Sequence, residues 1–170
     1  MTVAEETAEE AAWRVAGSVP DPELPVVTVA ELGMVRGVAC DGAGGVVVRL
    51  TPTYGGCPAV AEIRAGVAAA LRAAGFDPVE VVTVLAPPWS SEWISPAGRR
   101  KLASAGIAPP GRAAGGGPVP LTLSAPRRVV VCPRCGADDT EPWSRFGAAA
   151  CTELWRCLGC REPFERVREV

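Results

Sequence analysis

Cys132 and Cys135 flank Pro133-Arg134, Cys157 and Cys160 flank Leu158-Gly159, and 21 residues separate these two Cys-x-x-Cys pairs. A two-residue gap on a tight turn lets both thiolates of a pair meet one ion. Two such turns complete a tetrahedron with Zn–S bonds of about 2.3 Å. Pro133, Gly136 and Gly159 suit those turns. With sulfur at all four corners no position is left for water, so the expected zinc, one per chain, is structural and folds its module. Iron is accepted by four thiolates as well. Catalytic chemistry has to be sought elsewhere.

The chain contains no histidine. That excludes Ser-His and Cys-His nucleophile pairs, and histidine-bearing catalytic zinc or di-iron sites. Cys57 is the remaining thiol placed for chemistry. The segment Thr51-Pro52-Thr53-Tyr54-Gly55-Gly56-Cys57-Pro58 joins a strand to a helix N-terminus, where free amides and the dipole stabilise a thiolate and lower its pKa. Gly55 and Gly56 allow close backbone approach. The competing reading is a small buried hydrophobe beside an ordinary turn. Asp21 and Glu23 offer carboxylate ligands or acid–base groups if the fold carries their loop to Cys57. Between prolines, turn formation is the plainer role for Asp21.

Cys40 closes a β-rich run and reads as packing. Cys151, six residues before Cys157, reads as burial beneath Leu154 and Trp155, with a spare thiol or substitute ligand as the alternatives. Trp89, after Pro87-Pro88, and Trp93 suit either a groove or a core, and core packing is the default for indoles.

The elements that must hold these residues follow from periodicity. A helix is expected from about Ala4 to Ala16, stopped by the proline-rich run Pro20 to Pro25. Met34 to Cys40 and Gly45 to Thr51 read as a hairpin around Asp41-Gly42-Ala43-Gly44. Val60, Ile63, Val67, Ala70, Leu71 and Ala74 recur at helical spacing, giving a helix from Ala59 to Ala74 that ends at Gly75. Val79 to Leu85 supplies a third strand, and a short helix runs from Ser95 or Pro96 to Ala105. Residues 1–107 therefore predict an α+β domain with a small mixed or antiparallel sheet. Residues 108–126, rich in proline and glycine, read as a flexible linker. Residues 127–170 form a ribbon too small for a large core, whose loss should leave the first domain standing.

With 170 residues, a net charge of −2 and a pI near 5.3, the chain has no global attraction to nucleic acid or anionic lipid. One acid-free stretch is cationic, with Arg99, Arg100, Lys101, Arg112, Arg127 and Arg128, and reads as a solvated helix face plus linker in preference to a docking surface. Seven cysteines, four in zinc spacing, fit a reducing compartment. The acidic start lacks the pattern of a signal peptide, and no apolar run reaches the roughly 18 residues of a span. The expected location is the cytoplasm, with neither nucleic acid nor membrane as a partner and with oligomeric state open.

Asp21-Pro22-Glu23-Leu24-Pro25, Glu31-Leu32-Gly33-Met34-Val35, and Thr51-Pro52-Thr53 leading to Gly56-Cys57-Pro58 resemble the SufT-like domain of iron-sulfur assembly factors. Adding Pro87-Pro88-Trp89, Trp93-Ile94, Gly106-Ile107-Ala108-Pro109-Pro110, Cys132-Pro133-Arg134-Cys135-Gly136 and Ser144-Arg145-Phe146-Gly147 makes the chain similar, over nearly its whole length, to the PaaD family. These are the D subunits of phenylacetyl-CoA epoxidase systems. Glu31 stands where related domains often have Asp, and Gly55 where a Ser is common. The resemblance implies a non-enzymatic accessory protein in aerobic phenylacetate breakdown. Its implied partners are a di-iron oxygenase and an iron-sulfur flavin reductase, one of whose metal centres it helps to mature. Cys57, helped by Asp21 and Glu23, would take iron or a nascent cluster transiently or contact a client. Two other readings stay open. One is a zinc-ribbon adaptor with Cys57 structural, the other a thiol enzyme acting on a CoA ester.

Overall fold

The computed structural model describes residues 6–111 and 129–169. Residues 112–126 of the expected linker, and with them Arg112, Arg127 and Arg128, lie outside this range.

The first helix, α1 (Ala8–Gly17), starts later than periodicity alone places it, because Thr7 caps it. The Thr7 hydroxyl accepts from the amide of Glu10 at 3.2 Å, while the Glu10 carboxylate accepts from the amide of Thr7 at 2.8 Å. This reciprocal box satisfies two amides that have no partner within the helix. Ala12 and Ala16 face inward and are fully buried. A hairpin follows, with β1 (Val35–Cys40) antiparallel to β2 (Val46–Leu50) around the expected Asp41–Gly44 turn. The amphipathic helix α2 (Val60–Ala73) buries Ile63, Val67 and Leu71, and returns the chain to β3 (Val79–Thr83), which lies parallel to β2. The order β1-β2-β3 is therefore a mixed sheet, as the sequence leads one to expect. Val48, fully buried, stands in register with Val38 and Val81 at its centre.

A single 3-10 turn (Ser91–Trp93) and the helix α3 (Pro96–Ser104) close this layer. Trp89 is buried and donates its indole N–H to the carbonyl of Leu32 at 2.8 Å. The guanidinium of Arg36 sits 3.5 Å from the centre of the Trp93 ring, so both indoles serve packing. Gly33 is fixed here by two constraints. Its φ is +70°, and a Cβ added to it would lie 2.5 Å from both Cβ and the carbonyl oxygen of Trp93. Gly33→Ala should therefore cost on the order of 2 kcal/mol, from the left-handed backbone alone and before the clash is counted. The expected readout is a melting temperature lower by roughly 5 °C. An unchanged melting temperature would show that the turn relaxes freely.

The C-terminal sheet is a meander of β5 (Thr140–Ser144), β6 (Thr152–Cys157) and β7 (Pro163–Val167), all antiparallel neighbours. A short strand, β4 (Ile107–Ala108), joins it parallel to β7 and makes the order β4-β7-β6-β5. The boundary expected at residue 107 thus falls inside a strand of the second sheet. The two cores exchange residues as well: Val167 of β7 belongs to the N-terminal core, and Ala108 of β4 to the small core formed with Val130, Cys132, Trp155, Cys157 and Phe164. Packing of this kind couples the ribbon to the first layer more tightly than a tether would.

Candidate functional site

The Cys-x-x-Cys turns are built alike. In the first, the amide of Gly136 donates to the carbonyl of Cys132 at 2.9 Å, and Gly136 has φ +76°. In the second, Arg161 takes the same place after the second cysteine with φ +66°, a left-handed conformation uncommon for a long side chain. Each turn presents its two sulfurs to the other. All four sulfurs lie within 4.8 Å of one another, with Cys132 to Cys160 at 3.9 Å and Cys135 to Cys157 at 3.5 Å. Four sulfurs at tetrahedral corners around zinc stand about 3.8 Å apart, so the residues fit that ion. The amide of Cys160, 3.4 Å from the Cys157 sulfur, favours the thiolate there, while crowding by the other sulfurs raises the Cys160 thiol; a bound ion would displace the protons of both. This is a metal-binding group.

Cys57 lies between its two expected readings. It sits on the β2–α2 connection, where its amide donates to the carbonyl of Tyr54 at 3.0 Å, and its half-buried side chain packs against the N-terminal core. The amides of Ala59 and Val60 do favour the thiolate, as the helix-terminus argument supposes. Burial outweighs them, and the carboxylates of Glu23 and Asp21 add to it, so the thiol is pushed above its ordinary value rather than below it. The expected activation by the helix end is corrected on this point.

The loop with the two acids is near enough for its charges to act on this thiol. Asp21 is buried, and its Oδ1 accepts from the amides of Glu23 and Leu24, both at 2.8 Å, so the turn-forming role and proximity to Cys57 coexist. Glu23 is raised first by burial and then by Asp21, while its carboxylate accepts from the amide of Ala150. Ala150 belongs to the C-terminal module.

Next to Ala150 is Cys151, and here the sequence reading fails. Cys151 packs against the N-terminal core and not with the ribbon core that holds Trp155. Burial, then Asp21 and Glu23, push its thiol up to about 12, with Cys57 near enough to contribute. The β5–β6 loop that delivers it is tied down by Thr152, whose buried hydroxyl donates to the carbonyl of Ala149 and accepts from the Ala149 amide. The carbonyl of Cys151 accepts from the amide of Arg168 at 2.9 Å. Tyr54, Trp89, Cys151 and Val167 line a narrow crevice along this junction. A cysteine in excess of zinc spacing was the one available signal, since the contact joins segments nearly a hundred residues apart.

Cys40 packs against the core, as expected of it. Within the cationic stretch, Arg99 donates to the carbonyls of Pro110 and Ser91 at 2.6 and 2.7 Å, and Lys101 pairs with Glu31 at 2.7 Å. Among the described residues no helix is long and apolar enough to cross a membrane.

Comparison with known proteins follows the same division. Residues 116–168 match the family described as the PaaD zinc beta ribbon domain, and residues 9–85 match the family described as iron-sulfur cluster assembly protein. A solved structure of a domain of unknown function, DUF59, from Bacillus anthracis shares 32% identity. It covers 55% of this chain and 90% of its own, with a TM-score of 0.52. A protein of Escherichia coli (strain K12), named as the putative D subunit of 1,2-phenylacetyl-CoA epoxidase, is 41% identical over 153 residues, 90% of this chain and 88% of that protein. By that identity and span, the chain belongs to the family of phenylacetyl-CoA epoxidase D subunits.

Proposed function

We propose that this chain is a non-enzymatic accessory factor of a phenylacetyl-CoA epoxidase system, which assists maturation of the metal centre of a partner subunit. The observation that carries the reading is the match of residues 9–85 to iron-sulfur cluster assembly proteins, with Cys57 on the β2–α2 connection under the charges of Glu23 and Asp21. Thiolate and carboxylate together suit iron or a nascent cluster as cargo. The partners are the di-iron oxygenase and the iron-sulfur flavin reductase of such a system, in the cytoplasm. The missing histidines support a helper role, since the chain cannot itself build a histidine-carboxylate di-iron site.

Zinc held by Cys132, Cys135, Cys157 and Cys160 would supply cross-linking alone, because four sulfurs leave no position for substrate. The residues around Cys57 have a different task. Asp21 anchors its own loop through Oδ1, Glu23 holds the amide of Ala150, and the amides of Ala59 and Val60 face the sulfur when it ionises. A cation arriving there would take the place of the thiol proton and offset the neighbouring carboxylates.

Cys57→Ser tests the proposal in cells that depend on phenylacetate. Oxygenase and reductase subunits should be synthesised at normal levels but short of metal, with activity returning on chemical reconstitution. The substitution is nearly isosteric, so lost function with an intact fold would point to thiolate chemistry. The half-buried packing of Cys57 supports a second reading, a zinc-ribbon adaptor in which this cysteine is structural. Unchanged growth and full client metal in Cys57→Ser would put the adaptor ahead.

A further inference from the structure

Among the described residues, one sheet edge is left open. In the orders β1-β2-β3 and β4-β7-β6-β5 the outer strands are β1, β3, β4 and β5, and all but β3 carry devices that stop a further strand from adding. β1 has a bulge between Val35 and Gly37, packs against α1, and gives its Cys40 amide to the Glu9 carboxylate. β5 contains Pro142 at its own bulge, and β4 is only two residues long. β3 has neither proline nor bulge.

Pairing with β2 fixes which backbone groups of β3 are free. The amide of Val46 donates to the carbonyl of Pro78 at 2.9 Å and the amide of Val84 to the carbonyl of Leu50 at 2.8 Å, so Glu80 and Val82 between them turn their amides and carbonyls toward β2. Those of Val79, Val81 and Thr83 turn outward. Of these, only the Val81 carbonyl has a partner among the described residues, accepting from Nε of Arg64 at 3.1 Å.

The helix α2 runs alongside and completes a groove. Ala61, Ala65 and Ala68 recur along its face beside β3, with Arg64 and Arg72 on the same face, and the short alanine side chains leave room that larger ones would fill. Both arginines are exposed, and among the described residues neither forms an ion pair. With Nε of Arg64 held by the Val81 carbonyl, the two terminal nitrogens of its guanidinium are left to receive a carboxylate. Glu80 borders the groove as well. Side chains alternate along a strand, however, and with Val81 buried toward the core Glu80 stands on the opposite face.

From these observations we propose that the β3 edge and the alanine face of α2 form a docking site for an extended, carboxylate-bearing segment of a partner protein, which adds as a fourth strand of the first sheet. Backbone bonds to Val79, Val81 and Thr83 supply affinity, and carboxylates of the incoming strand pair with Arg64 and Arg72 to select it. A second copy of this chain fits the backbone but not the charge. Two β3 strands set antiparallel about Val81 would bring both Arg64 guanidiniums to the axis, where like charges repel. The site draws on neither Cys57 nor the four-cysteine group, so it stands or falls separately from the cargo reading.

The test uses the full chain with its zinc and, as the probe, a short labelled peptide in which glutamate alternates with valine, followed by fluorescence anisotropy and amide hydrogen exchange. Binding should slow exchange at Val79, Val81 and Thr83 and leave Glu80 and Val82 as they were, because those two already bond to β2. Thr83→Pro removes an amide that no described residue uses, and Arg72→Gln removes an exposed cation. Each should weaken binding by about tenfold with the far-ultraviolet spectrum unchanged. Failure of the peptide to bind the parent protein overturns the proposal, as does equal binding by the same peptide with lysine in place of glutamate. A concentration-dependent dimer that Thr83→Pro abolishes would overturn it too, by giving the edge to a second copy.

Discussion

Cys157→Ser is expected to abolish stoichiometric metal binding by the ribbon, taking bound zinc from one per chain to near none by elemental analysis. Serine keeps the shape but offers a hydroxyl of very high pKa in place of a thiol that zinc readily deprotonates. Apparent binding energies for four-thiolate zinc are on the order of 10 kcal/mol, and that is folding energy for a module without a large core of its own. The module has little else. Its core consists of Ala108, Val130, Cys132, Trp155, Cys157 and Phe164, so two of the six buried side chains are themselves metal ligands. Amides of β5, β6 and β7 should lose their protection from hydrogen exchange together. A ribbon hanging from a flexible linker would fail without consequence for the rest. Here Val167 lies in the N-terminal core and β7 pairs with β4, so the melting temperature of the first layer should fall too. Retention of a full equivalent of zinc would show that the four sulfurs are not its ligands.

What the sequence discloses about this protein divides along the range of the interactions. The paired Cys-x-x-Cys motifs are visible because each depends on a turn only a few residues long. Ile63, Val67 and Leu71 announce α2 through their spacing, and Asp41–Gly44 announces the hairpin through turn chemistry. The cap at Thr7 is equally local, and Glu10 three residues on was its signal. Cys57 shows where a local argument stops: the helix-end amides are present as foreseen, but burial and two carboxylates from another loop set the sign of the shift. Cys151 is harder still. No pattern near position 151 reveals that its partner surface is the β2–α2 connection, and its closeness to Cys157 in sequence suggested the wrong neighbours. The exchange of Val167 and Ala108 between the cores is likewise a property of the assembled layers.

Arg166 is a second residue that only the fold exposes, and its removal should be among the most destabilising changes in the chain. Its side chain is 2% exposed near the end of β7, paired with Glu153 at 2.7 Å and with Glu169, and its guanidinium lies 5.7 Å from the centre of the Trp155 ring. Glu153 also accepts from the Trp155 indole at 2.8 Å, and Glu169 from the amide of Gly111 at 3.1 Å. The network thus ties β6 and β7 to the segment that follows β4. Arg166→Ala takes the cation from between two carboxylates that are themselves mostly buried, and removes packing beneath Trp155. Breaking a buried pair on one side costs about 3 to 5 kcal/mol; partial access of water to Glu153 and Glu169 places the expectation near the lower figure. Arg14→Ala provides the contrast. Arg14 bonds Glu6 at 2.9 Å with both side chains well exposed, so water screens the pair and its loss should barely move the unfolding transition. Denaturant midpoints for the two variants measure the difference directly. If Arg166→Ala fell as little as Arg14→Ala, the network would be incidental and the junction would be held by Val167, Ala108 and the ribbon metal alone. If it falls as expected while zinc content stays at one per chain, the loss lies in the seam between the modules and not in the metal site. Cys151, carried by the loop between β5 and β6 and packed on the N-terminal core, would then be loosened in an otherwise folded ribbon.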